Sequence, residues 1–326
     1  VRRIIVKPSE RVSVNATLKR VVQTPGWISA DLHNHSTVTG ATDRFYIKGY
    51  RKNPTVDGDS TASRLGCIRN LLAEHIEFAV PTEHNQVSSF DSHVKRLGAE
   101  KFIATVPGVG LTAGRRHTLT HQNTFPVPFR QGDLDGGMLQ RPQHIGQVDW
   151  LNRWNTATER FVQIMFPQGT KLFINRKMDA VEIESLEPLI GDSLAGESRV
   201  LEWLDRLREG YRIPAVLNSG AFDNYPGCGR QRTYIRNQTD NPAAFRRSGL
   251  PTRPSLDQKG LVGSGDPIHG LVANAKAGHL FLTNGPFLEA SLRSSDGDVA
   301  AFPGDSIRAE SGNVTIDVRV QCSNQF

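Results

Sequence analysis

The sequence predicts an α/β fold: a distorted (β/α)7 barrel with flanking β-strands at both termini. Three observations predict it. Short apolar runs recur along the chain, amphipathic helical stretches stand between several of them, and both ends alternate apolar and polar residues at the period of a half-buried strand. A chain of 326 residues has room for one such barrel with additions. The expected boundaries are 1–24 for an N-terminal β segment, 25–290 for the barrel and 291–326 for a C-terminal β segment.

Taken in order, Val12, Val14, Ala16 and Leu18 alternate with polar neighbours and read as a strand. Trp27 to Leu32 reads as the first barrel strand. The helix after it opens at Asp59-Ser60-Thr61 and carries Leu65, Ile68 and Leu72 as a stripe. Further strand runs are Ile76–Val80, Lys101–Val106, Leu119–Val127, Phe161–Phe166, Ala180–Ile183 and Ile213–Leu217. A helix bearing Val200, Leu201, Leu204 and Leu207, stopped by Gly210, precedes the last of these. Residues 40–59 and 131–154 read as long loops. Val314, Ile316, Val318 and Val320 repeat the period-two pattern near the end.

Composition narrows the function classes. No stretch approaches the roughly 18 uncharged apolar residues of a membrane span. The formal charge of +6 comes from scattered basic residues, which argues against a nucleic-acid partner. Cys67, Cys228 and Cys322 stand far apart without a Cys-x-x-Cys, so no zinc knuckle, c-type haem or disulfide framework is expected. The start, Val-Arg-Arg-Ile-Ile-Val, and the flanking β additions point to export and trimming, hence an extracytoplasmic location.

Chemistry concentrates in two places. Asp31-Leu32-His33-Asn34-His35-Ser36 closes the first barrel strand, where residues two apart share a face. His33 and His35 can therefore present two imidazoles to one metal without bending the backbone. The plainer reading, two histidines satisfied by local hydrogen bonds, stays open. Thr82-Glu83-His84-Asn85 follows the next strand run. Strand ends converge on one barrel mouth, so Glu83 and His84 can meet the first pair there; the alternative is that they cap the next helix. Arg230 and Arg232, beside a late strand, are candidates to steady an anionic substrate, against a structural ion-pair role.

These two motifs resemble the first two of the polymerase and histidinol phosphatase (PHP) superfamily of metal-dependent hydrolases, and within it the carbaryl-hydrolase-like CehA/McbA branch. The resemblance continues through Asp57-Gly58-Asp59-Ser60, Leu119 to Pro126, Arg232-Thr233-Tyr234 and Ala277 to Pro286. It implies a PHP-type barrel and hydrolysis of a small-molecule or anionic phosphoester, ester or carbamate with divalent zinc, manganese or iron. His33, His35, Glu83, His84 and His121 fall at its ligand positions, and His121 doubles as a catalytic candidate beside Arg230 and Arg232.

Four positions depart from the pattern. Gly110 stands where a bridging Glu is expected, Phe166 where a His is, and Gly220 and Phe222 where an Asp-x-His is. Glycine supplies no ligand and phenylalanine cannot coordinate a hard cation, so the resemblance implies one ion rather than two or three. The competing expectation is a catalytically degenerate PHP-fold protein, an extracellular binding or structural protein assembling at surfaces through its terminal β segments.

Overall fold

A computed structural model describes residues 5–15, 20–36, 60–83, 86–111, 122–130, 136, 160–164, 178–183, 199–220, 228–245, 267–294, 300–309 and 312–322. The elements are β1 (Trp27–Asn34), α1 (Ser60–Ala73), β2 (Phe78–Pro81), α2 (Asp91–Arg96), β3 (Ala104–Thr105), β4 (Val109–Leu111), β5 (Gln122–Phe125), β6 (Phe161–Ile164) and β7 (Ala180–Ile183). They continue with α3 (Arg199–Arg208), β8 (Ala215–Leu217), β9 (Arg232–Arg236), a 3₁₀ turn (Pro242–Phe245), α4 (Pro267–Ala277), β10 (Leu280–Thr283), β11 (Phe287–Ser294), β12 (Ala300–Ala301) and β13 (Val314–Gln321).

The fold is mixed α/β, and among the described residues the strands do not close into the expected barrel. Among the described residues they make two five-stranded sheets, ordered β10-β9-β1-β2-β3 and β4-β5-β6-β7-β8, and a three-stranded sheet β12-β11-β13. The runs β1-β2-β3 and β6-β7-β8 are parallel, while β9 and β5 run antiparallel to their neighbours. Side chains and isolated bonds hold the gaps where a closed barrel would carry ladders. At one seam the Thr233 hydroxyl donates to the Leu217 carbonyl and accepts from the Leu217 amide, each at 2.9 Å. At the other, Gly110 N–H donates to the Glu83 carbonyl at 3.0 Å, beside an isolated Ser88–Gly108 bridge.

Both large sheets bury one core. Ile28, Ala30 and Leu32 of β1 meet Phe125 of β5, Phe161 of β6, Ala180 of β7 and Val216 of β8, with Leu271 and Val272 of α4 closing it. Of the expected stripe of α1, Ile68 packs with Ile76, Ala79 and Phe90 on the far face of β2 and Leu72 is partly buried against them, while Leu71, outside that stripe, is fully buried there. Val200, Trp203 and Leu204 of α3 cover Ile183, Ala215 and Leu217.

The two termini differ. Residues 5–15 form no strand, and Val12 and Val14 are exposed, because alternation without a partner ladder or a surface to bury against does not hold an extended chain. At the far end β13 does form, antiparallel to β11. Its polar face carries the Arg293–Asp317 and Arg319–Glu289 pairs.

Candidate metal centre

The site is built on an irregularity in β1. Asp31 lies opposite Ala79 and Asn34 opposite Pro81, three steps on β1 against two on β2. The extra residue interrupts the alternation. Leu32 faces the shared core, and His33 follows it to the same side instead of turning away. The two histidines do come together, but through this bulge rather than along a regular strand.

His33 is fully buried between two partners. Its Nδ1 lies 2.9 Å from Oε1 of Glu182 and its Nε2 2.8 Å from Nε2 of His35. In the tautomer in which His33 Nδ1–H donates to the Glu182 carboxylate, His33 Nε2 holds a lone pair that accepts from His35 Nε2–H. Burial opposes a charge on His33, yet Glu182, with Asp31, outweighs it and holds the His33 pKa above its ordinary value. The Glu182 Oε2 accepts from Gln163 Nε2 at 3.1 Å, and Gln163 Nε2 also reaches the Leu32 carbonyl at 3.3 Å. On the other side Asn218 Oδ1 accepts the Leu32 amide at 2.8 Å.

These partners form a layer. Asn123, Gln163, Glu182 and Asn218 each sit two residues from a core side chain of the same strand run: Phe125, Phe161, Ala180 and Val216 respectively. Period-two geometry stacks the polar set above the apolar one at the carboxyl end of β6, β7 and β8. Within it Asn123 Nδ2, Gln163 Oε1 and Asn218 Nδ2 are buried without a hydrogen-bond partner among the described residues. The motif-based reading missed Glu182, Gln163, Asn123 and Asn218. The available signal was a polar residue at an inward position in each of four short apolar runs.

Glu83 closes the site from β2. Its Oε1 accepts from the backbone N–H of Ser36 at 2.8 Å and from the Ser36 hydroxyl, while Oε2 is buried without a hydrogen-bond partner, 4.0 Å from His35 Nδ1. Burial pushes the Glu83 pKa up, against the Ser36 bonds and Arg64. Asp31 faces the opposite side of β1. It accepts from Ser219 Oγ at 2.6 Å, Ser219 N at 3.2 Å, His33 N at 3.3 Å and Gly229 N at 3.3 Å. Burial nevertheless raises its pKa to about 6.

Of the remaining candidates, His84 and His121 lie outside the described residues, as do Phe166 and Phe222. Arg230 is exposed in the turn before β9. The Arg232 guanidinium donates to the Glu74 carbonyl at 2.5 Å, to the Glu74 carboxylate at 3.2 Å and to the Gly229 carbonyl at 2.9 Å, so it braces α1 against the turn before β9. At Gly110, a Cβ would stand 2.5 Å from the Thr82 carbonyl oxygen. The backbone has closed over the place where a bridging carboxylate would begin. Gly220 donates its amide to the His33 carbonyl at 3.2 Å.

A metal has suitable donor chemistry here: two imidazoles, a carboxylate with an oxygen lacking a hydrogen-bond donor among the described residues, and a second carboxylate orienting His33. Among the described residues, however, no group of three or more His, Cys, Asp or Glu side chains is arranged to hold an ion. Any full ligand set therefore draws on residues beyond them.

No family model matches the chain, and no curated protein does. Among solved structures it is similar to a two-domain protein from Bacteroides vulgatus containing a predicted PHP-like metal-dependent phosphoesterase. That match has a TM-score of 0.41 and 13% identity, over 70% of this chain and 65% of that one. At this distance the likeness carries no functional argument, which rests instead on the residues around His33.

Proposed function

We propose that the chain is a PHP-type metal-dependent hydrolase with a reduced, one-ion site, acting on a phosphoester, ester or carbamate in an extracytoplasmic setting. The observation that carries this reading is the meeting of His33 and His35 through their Nε2 atoms, beside the buried Glu83 Oε2, which has no hydrogen-bond donor among the described residues. His33, His35 and Glu83, with His84 and His121, would hold zinc, manganese or iron. Such an ion supplies hydroxide near neutral pH and polarises the scissile group. Glu182 fixes the tautomer of His33, Ser36 orients Glu83, and Arg230, in the turn before β9, is the candidate to steady an anionic substrate. Arg232 is spent on Glu74 and supports the turn that carries Arg230.

The test is metal content by mass spectrometry after expression with zinc, manganese or iron, alongside turnover of aryl phosphate, aryl ester and aryl carbamate substrates. One ion per chain and hydrolysis, both lost in His33→Ala with folding retained, are expected. A folded, inert protein without bound metal after metal-replete expression would overturn the reading.

A second reading, a noncatalytic assembly protein, draws on β13. Val314, Ile316, Val318 and Val320 are 43–65% exposed on one face of an edge strand. The occupant it commits to is a second copy. With two β13 strands antiparallel about Val318, Asp317 faces Arg319 of the other copy and Ile316 faces Val320, so charge and apolar rows both match. Light scattering would show a dimer that Val318→Lys dissociates; a monomer at high micromolar concentration removes this reading.

A further inference from the structure

Cys67 and Cys228 are 161 positions apart in sequence, and the fold places their Sγ atoms 3.6 Å from each other, both buried. Cys67 lies on the inner face of α1, and Cys228 opens the turn leading into β9. Around them are Ile68, Leu71, Ile76, Ala79 and Phe90. Among the described residues no third His, Cys, Asp or Glu joins them in a metal-holding group. We infer that Cys67 and Cys228 form a structural disulfide that ties α1 to the turn before β9.

Closing the contact to a bond of about 2.05 Å asks for a sulfur movement of about 1.5 Å. The next residue after Cys228 explains what the bond would secure. Gly229 donates its amide to Asp31 and its carbonyl accepts from Arg232, so the cross-link holds the turn that clamps the base of the His33 strand. The inference does not depend on the hydrolase reading, because it concerns the opposite face of β1.

The chemistry is thiol–disulfide exchange with an aliphatic disulfide. One cysteine thiolate attacks that disulfide and releases one thiol. The second cysteine then attacks the mixed disulfide and releases the other. The two protein thiols lose two electrons and two protons, and the oxidant becomes two thiols. The hydrogen bond to Cys228, then burial, holds the Cys67 thiol well above its ordinary pKa. A buried, weakly acidic thiol exchanges slowly in the folded protein, so the bond belongs to folding in an oxidising compartment rather than to a fast switch.

The test uses the whole chain in two arms. One portion is expressed in an oxidising compartment, and another is refolded with oxidised and reduced glutathione. Both are alkylated without reduction and mapped by mass spectrometry. The expected result in either arm is a cross-linked peptide pair containing Cys67 and Cys228, about 2 Da lighter than the two thiols, with Cys322 alkylated or carrying glutathione. Reduction of the wild type should lower Tm by about 5–10 °C, given the long loop closed. Cys322→Ser should keep that difference and Cys67→Ser/Cys228→Ser should abolish it. Because wild type and its reduced form are compared directly, the result survives a variant that folds poorly. Alkylation of both Cys67 and Cys228 in both arms, or pairing of either with Cys322, would overturn the inference.

Discussion

At the scale of single residues, one carboxylate does two things for the candidate site. Glu182 accepts from His33 on one oxygen and from Gln163 on the other. Glu182→Ala leaves His33 Nδ1–H buried without its acceptor and Gln163 Nε2 with the Leu32 carbonyl alone of its two acceptors, and should lower unfolding free energy in urea by about 1–3 kcal/mol. Glu182→Gln keeps acceptor capacity but removes the charge that fixes the His33 tautomer. It should leave stability nearly intact while weakening metal binding about 10–100-fold in a competitive chelator titration. Glu77 offers a pH readout away from the candidate ligands. Burial raises its pKa above the ordinary 4.5, outweighing the bonds from Ser29 and the attraction of Arg20. The folded state then binds its proton more tightly than the unfolded chain. That contribution is full below about pH 4.5 and is lost as pH rises through the raised value. The stability of wild type minus that of Glu77→Gln, from urea curves between pH 4 and 7, should therefore fall with rising pH. A flat difference would contradict the assignment.

Two glycines separate close approach from open space at the scale of elements. Gly110 lets β4 lie against the end of β2, where its amide bonds the Glu83 carbonyl. A methyl there would meet the Thr82 carbonyl at 2.5 Å, so Gly110→Ala should cost about 1–3 kcal/mol, and Gly110→Glu should not restore a bridging ligand without moving β4. Gly270 sits within α4, where the nearest atom to an added Cβ is Asn237 Oδ1 at 3.8 Å. Gly270→Ala should instead raise stability by about 0.5–1 kcal/mol through helix propensity. Thermal unfolding of the two variants should shift in opposite directions.

For the whole molecule, the decisive joint is the seam between β8 and β9. Thr233 is fully buried, and its hydroxyl alone serves both the Leu217 amide and carbonyl across it. Thr233→Val preserves shape and removes both bonds, leaving two backbone groups buried and unpaired. A loss of about 2–4 kcal/mol is expected, with faster hydrogen exchange at Leu217, whereas Thr233→Ser should retain most of the protection. Equal exchange in wild type and Thr233→Val would mean that the sheets are held together elsewhere.

Much was legible from local pattern. The runs containing β1, β2, β6, β7 and β8, the helices α1 and α3, and β13 all announce themselves by period, because burial of one face imposes it. His33, His35 and Glu83 were legible as a motif. Pairing and orientation were not. The N-terminal alternation has the same period as β13, yet its described part, up to residue 15, forms no strand, whereas β13 pairs with β11. The division of the strands into two separate sheets could not be read from strand count, because the seams between them depend on Thr233 meeting Leu217 and Gly110 meeting Glu83. The inward turn of His33 depends on a bulge, the role of Glu182 on two strands meeting across the core, and the approach of Cys67 to Cys228 on α1 folding over β2. The sequence by itself determined which segments have the period of a strand or a helix and which side chains can ligate, through periodicity and chemical type. Tertiary structure alone decided which of those side chains face one another, because that requires contacts between residues more than a hundred positions apart.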